Sequence, residues 1–167
     1  VPGRGGGGGA GAVDAHRGSR EGGTQDGGRH PIAAFLLEQV TGTNGILIPP
    51  DGYLQGIRDL CTRYGIVMIC DEVMAGFGRT GQWFAVDHWG VVPDLMTMAK
   101  GLTSSYLPLG AVAMSPKIAE QFNERVYFGG LTYSSHPISC AAAIAAISVL
   151  RDEDMVGNAA RLDPVMQ

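Results

Sequence analysis

At 167 residues with 45% hydrophobic side chains, the chain is long enough for one domain with a real buried core. Its formal charge of −4 leaves no basic footprint for nucleic acid, and no apolar stretch reaches the roughly 18 residues of a membrane span. Cys61, Cys70 and Cys140 are odd in number, lack CxxC spacing and sit in apolar segments, so they read as reduced core thiols of a cytoplasmic protein.

The composition shifts near residue 30. Residues 1–30 hold 12 of the 26 glycines and almost no large apolar side chain, so they read as a disordered Gly-rich tail without the apolar core of a signal peptide. Residues 31–167 form the folded part. A short apolar strand spans 32–39 and a Gly/Pro loop 41–50. Asp51 offers an N-cap for a helix in which Tyr53, Leu54, Ile57, Leu60 and Tyr64 recur at helical spacing until Gly65 stops it. The run Ile66-Val67-Met68-Ile69-Cys70 is a buried strand that ends in Asp71-Glu72-Val73. After a glycine loop and a helix-like piece at 84–89, a second buried strand, 93–99, runs straight into Lys100. A further strand at 109–114, a short helix at 116–122 opened by Pro116, and a longer helix from Pro137 to Leu150 complete the series. Strand and helix alternate in the rhythm of an α/β domain whose mostly parallel sheet is flanked by helices.

In such sheets ligands bind at the C-terminal strand ends, which is where Asp71 and Lys100 stand. Lys100 is one of two lysines in the chain. An amine for imine formation and an anion for a pyridinium nitrogen are the pair that pyridoxal phosphate chemistry needs. A buried setting would lower the amine's pKa and free it as a nucleophile, whereas Lys117, after Ser115-Pro116, reads as solvent-facing. Because neighbouring strand positions face opposite ways, Glu72 should point away from whatever Asp71 contacts. The competing reading is that the Asp-Glu pair caps a strand and binds surface water.

Gly76-Phe77-Gly78-Arg79-Thr80-Gly81 satisfies G-x-G-x-x-G, but its context is wrong for a dinucleotide. No helix opens directly behind the strand, and Asp87 and Asp94 come too early to be the ribose-binding acid. A tight active-site loop is the better reading. Thr132 lies in a polar loop ahead of the helix at Pro137, where hydroxyls and free N–H groups suit a phosphate; ordinary capping by Ser134 or Ser135 is the alternative. His88 and His136 have no ligand partners at metal spacing and read as structural, so no metal is expected.

Four segments in order, Phe35-Leu36-Leu37-Glu38-Gln39-Val40-Thr41-Gly42, Asp71-Glu72-Val73-Met74-Ala75-Gly76-Phe77-Gly78-Arg79-Thr80-Gly81, Ala99-Lys100-Gly101-Leu102 and Thr132-Tyr133-Ser134-Ser135-His136-Pro137, resemble the class III pyridoxal phosphate aminotransferases. These are the omega-aminotransferase group of fold type I, and the match covers about residues 33–150. The resemblance implies a partial large, cofactor-binding domain with pyridoxal 5'-phosphate as cofactor. It makes Lys100 the Schiff-base lysine and Asp71 the partner of the pyridinium nitrogen. Val73 would pack on a ring face, and Thr132 would reach the cofactor phosphate of a neighbouring subunit in a homodimer. Glu38 would match the acid that pairs with a switchable arginine on the substrate side.

The sequence departs from the family at Gln39, where proline is usual, and at Met74, where 4-aminobutyrate and ornithine enzymes carry glutamine. Met74 points away from those substrates, and with the run Tyr133-Ser134-Ser135-His136-Pro137 it looks more like the enzymes that pass amino groups from taurine, β-alanine or similar ω-amines to pyruvate. The family's N-terminal phosphate loop and its C-terminal arginine have no counterpart. Another class III chemistry, aminomutase or decarboxylase, and a non-catalytic remnant or binding fragment therefore remain open alternatives.

Overall fold

Strand β1 (Ala34–Glu38) pairs in parallel with β2 (Val67–Asp71), and β2 in parallel with β3 (Leu95–Met98); β4 (Ala111–Met114) closes the sheet antiparallel to β3. The strand order is therefore the sequence order. The computed structural model describes residues 32–166; the tail expected at 1–30 lies outside them. Among the described residues no helix is long and apolar enough to cross a membrane.

Alternation along the strands builds the core. Phe35 and Leu37, Met68 and Cys70, and Met96 turn to one face, where Leu54, Ile57 and Cys61 of helix α1 (Tyr53–Tyr64) and Val86, Trp89 and Val91 cover them. Leu54, Met68 and Cys70 are fully buried. Burial pushes the Cys70 thiol up to about 12, so it is an inert packing group; Cys61 and Cys140 are likewise free thiols. Of β3 only Met96 joins this core. That strand is half-buried throughout rather than fully buried as its composition suggests.

The helix starts differ from expectation at one point. Gly52, in the left-handed region at φ 77°, caps α1 rather than Asp51, because the Pro50 carbonyl already accepts the Tyr53 N–H at 3.1 Å. Gly65 ends the helix as expected. A 3₁₀ turn (Ala85–Trp89) follows the glycine loop, and another (Lys100–Leu102) follows β3. Helix α2 (Pro116–Ala119) runs into a third such turn (Glu120–Phe122), and α3 (Pro137–Asp152) opens at its proline. Helix α4 (Met155–Met166) has no counterpart in the sequence reading. Gly157 and Pro164 interrupt its periodicity, so its packing partners decide it rather than its propensity.

One ion pair ties the layers together. The Asp94 carboxylate accepts the Met68 N–H and an Arg58 guanidinium N–H, both at 2.8 Å, joining β2, α1 and the approach to β3. Burial works against its charge, but the Met68 N–H and the Arg58 cation hold its carboxyl below the usual carboxylate range. A depressed folded-state value means stabilisation that is full above the unfolded value, about 3.9, and lost as pH falls through the folded one. Asp94→Asn is therefore expected to cost roughly 1–3 kcal/mol at neutral pH. In urea unfolding the gap from the parent should shrink in strongly acid solution; a gap independent of pH would contradict the assignment.

Candidate active site

Three parallel strands end together, and their last polar residues fall in one row: Glu38 is in register with Asp71, and Asp71 with Thr97. Asp71 is half-buried, and its Oδ1 accepts the Val73 N–H at 2.9 Å, a turn that fixes the carboxylate at the strand end. Val73, also half-buried, thus sits in the turn that holds Asp71. Glu38 Oε2 accepts the Gly42 N–H at 2.8 Å. Met74 lies over the same glycine, so closely that a Cβ at Gly42 would stand 2.8 Å from its Cγ. Thr97 Oγ1 is buried without a hydrogen-bond partner.

Glu72 faces the other way, as strand alternation requires. It is fully buried, and its two carboxylate oxygens accept the Ala85 and Val86 N–H groups at 3.0 and 2.9 Å. Burial raises its pKa, and the two N–H groups pull it back. The reading of Asp-Glu as a hydrated surface cap is therefore wrong for Glu72, which caps the buried start of a 3₁₀ turn.

Lys100 opens the turn after β3, with φ at 28° in the sterically disfavoured positive region. Its side chain is exposed, not buried as expected, because the strand before it is only half covered and a cavity opens beside it. That cavity, about 340 Å³, is lined by Lys100, Phe77, Gly78, Arg79, Ser104 and Ser105 with Leu150 and Met155 from the α3–α4 corner. Arg79, Ser104 and Ser105 are chemistry-bearing residues that the sequence reading left out. Their signal was present: a cation inside the glycine loop, and two hydroxyls just beyond the lysine. Asp71, Val73, Glu38 and Thr132 are not among the lining residues. Lys117 is exposed on α2, as expected.

The glycine loop is shaped by close packing. Gly78 and Gly81 lie at φ 88° and 82°, and a Cβ on either would stand 2.9 Å from Val156 or 3.0 Å from Ala160 of α4. No helix opens from the loop, which agrees with the rejection of a dinucleotide site. Arg79 Nε donates to the Met74 carbonyl at 2.6 Å. At the other end Phe77 presses on the lysine turn, since a Cβ at Gly101 would come within 2.6 Å of its own Cβ.

Thr132 lies in an exposed loop away from this cavity. Neither serine caps α3: His136 is the N-cap residue, and Ser134 Oγ instead accepts the Leu131 N–H at 3.2 Å. The two described histidines both have neighbours within the chain. The His136 ring lies 5.7 Å from Tyr133, and His88 Nε2 is 3.0 Å from the Thr80 carbonyl. No metal-binding cluster occurs among the described residues.

Residues 24–167 match the family described as aminotransferase class-III. The chain is 44% identical over 130 residues to the putrescine–pyruvate aminotransferase of Pseudomonas aeruginosa, covering 77% of this chain and 28% of that protein. It is 45% identical over 141 residues to an omega-aminotransferase of Caulobacter vibrioides, covering 81% and 32%. Among solved structures, taurine:2-oxoglutarate aminotransferase of Bifidobacterium kashiwanohense, in complex with PLP and glutamate, superposes with a TM-score of 0.78 at 47% identity, over 80% of this chain and 30% of that one. The chain thus spans about three tenths of the length of these relatives.

The contact of Phe77 on Gly101 yields a direct test. Gly101→Ala should overpack the lysine turn and cost roughly 1–3 kcal/mol. Gly110→Ala, where a Cβ would meet only the Met98 carbonyl at 3.7 Å, should stay within about 0.5 kcal/mol of the parent. Equal melting temperatures for the two variants would show that loop and turn are not in contact.

Proposed function

Because the chain belongs to the class III aminotransferase family, we propose that it forms the lysine-bearing part of a pyridoxal phosphate enzyme. That enzyme transfers an amino group from an ω-amino acid or amine to a keto acid such as pyruvate. The observation that carries this reading is the placing of Asp71 at the end of β2 and of Lys100 just beyond β3, its parallel neighbour. Relatives named for putrescine, omega-amino acids and β-alanine, each with pyruvate, support the donor and acceptor classes.

The residues present fit the cofactor in kind. The polar row supplies a carboxylate held by its own turn, and beside it the orphaned Thr97 hydroxyl marks a buried polar atom still short of a partner. Lys100 supplies the amine, with Arg79, Ser104 and Ser105 lining the adjoining cavity. When bound, pyridoxal phosphate supplies an electron sink for the pair released at the substrate carbon. Lys100 Nζ is the amine that would hold the cofactor, and it would also be the base for the proton at the substrate carbon. Asp71, held at the end of β2 by its own turn, would be the anion that pairs with the ring nitrogen. Val73 would pack against the ring, and Glu38, which has one oxygen on the Gly42 N–H, would be the acid on the substrate side.

Thr132 serves the phosphate of a second copy's site in a homodimer. Its loop exposes Tyr127, Phe128, Leu131 and Tyr133, a run of large apolar side chains that suits an interface. Residues 31–167 are then part of the large domain, and the free thiols favour the cytoplasm.

Chain mixed with pyridoxal phosphate should gain imine absorbance, and borohydride should fix the cofactor to the peptide containing Lys100. Label confined to the Lys117 peptide would refute the assignment. In the longer protein carrying this sequence, Asp71→Asn should keep the fold and slow the half-reaction by roughly 10²-fold or more, as when one preorganised electrostatic partner is lost. An unchanged rate would reduce Asp71 to a strand cap.

A further inference from the structure

The Glu72 side chain reaches neither the cavity nor the carboxylates of the polar row, yet among the described residues it is the one charged side chain that is buried, with no exposure at all. A carboxylate is costly to bury unless its oxygens are met. Here each oxygen takes one N–H from the first residues of the 3₁₀ turn, Ala85 and Val86. The main chain of the same residue is engaged on both sides. Its N–H donates to the Thr97 carbonyl of β3 at 2.9 Å, and its carbonyl accepts the Gly76 N–H at 3.0 Å. One residue therefore fastens the end of β2, the end of β3, the start of the glycine loop and the turn that closes it.

The loop so held bears on the lysine. Phe77 N–H donates to the Trp83 carbonyl at 2.7 Å, and the Phe77 ring meets Phe84, the residue before Ala85, edge-on at 5.4 Å. On its other side Phe77 packs against Gly101, with no room for a Cβ. An unbroken line of contacts thus leads from the Glu72 carboxylate through Ala85, Phe84 and Phe77 to Gly101, next to Lys100. Lys100 itself sits at φ 28°, and Ser104 and Ser105 at φ 49° and 63°. Such conformations persist only where the surroundings over-determine them.

We propose that Glu72 is a positioning residue, which through the loop 76–84 and Phe77 holds Lys100 where its amine can react with an anionic aldehyde. The inference rests on the reading of Lys100 as the cofactor lysine and adds to it the group that sets the lysine's place. Neither Glu72 nor Phe77 is asked to touch cofactor or substrate.

The test uses the 167-residue chain. Parent, Glu72→Gln, Phe77→Leu and Leu54→Ala are treated with pyridoxal phosphate, trapped with borohydride at short times and mapped by peptide mass. Label at Lys100 is divided by label at Lys117, an exposed lysine on α2 that serves as internal reference. All reactions run well below each variant's melting temperature. Leu54 is a fully buried core residue outside the line of contacts, so Leu54→Ala controls for simple destabilisation. Glu72→Gln cannot offer acceptors to both N–H groups, and a misplacement of about 1 Å can cost a reacting group on the order of 10²-fold. The Lys100 to Lys117 ratio, well above one in the parent, should fall about tenfold or more in Glu72→Gln, less in Phe77→Leu, and not at all in Leu54→Ala. A parental ratio in Glu72→Gln, or an equal fall in Leu54→Ala, overturns the proposal and leaves the functional reading intact. A parent ratio near one removes both. Should Glu72→Gln fail to fold, Phe77→Leu decides: a reduced ratio upholds the line of contacts, and a parental one breaks it.

Discussion

Parallel pairing of β1, β2 and β3 is the constraint on which the site depends. A parallel ladder brings like ends together, so three separate polar residues, Glu38, Asp71 and Thr97, arrive in one row at one edge without any contact between distant loops. The same register decides which carboxylate of Asp71-Glu72 faces that row and which goes into the core, because a shift by one residue would exchange them. The Phe35, Leu37, Met68, Cys70 and Met96 face favours this register, since a slip by one residue would turn a strand's apolar side chains away from the core. The chemistry at the edge is therefore held by hydrophobic packing several residues away.

Much of this could be read from residue order alone. Period-2 strands, a period-3.6 helix closed by Gly65, and prolines at the starts of α2 and α3 are local signals, and the structure agrees with them. Helix α4 was not legible. Its glycine and internal proline weaken the pattern, and it lies against other parts of the chain, α3 and Gly78 and Gly81 of the loop. That same contact gives the loop glycines their meaning. Read in isolation they suggest phosphate binding; in the fold they are where a helix comes too close for a side chain.

Lys100 shows where sequence reasoning overreached. An apolar run before a lysine suggested burial, and burial would have explained its reactivity. In the fold the run is an inner strand with only Met96 in the core, and the lysine is exposed beside an open cavity. What the local sequence could not convey is backbone conformation: positive φ at Lys100, Ser104 and Ser105 follows from tertiary packing, not from residue type. Arg79 reads only as part of the glycine motif for a related reason. Its place beside Lys100 depends on how the glycine loop folds back over the lysine turn.

Strain at the lysine turn and burial of Glu72 are two sides of one arrangement. Residues in sparsely populated φ/ψ regions cost of order 1–3 kcal/mol each, so three of them in six positions would relax if the surroundings gave way. The surroundings that resist are the loop and its close contact with Gly101. A solvated carboxylate would leave that loop free to shift, because water could replace either N–H bond at little cost. A fully buried one cannot release Ala85 or Val86 without stranding its own charge. Burying Glu72 therefore turns two ordinary hydrogen bonds into a stiff clamp, and the clamp lets an exposed lysine occupy a defined position.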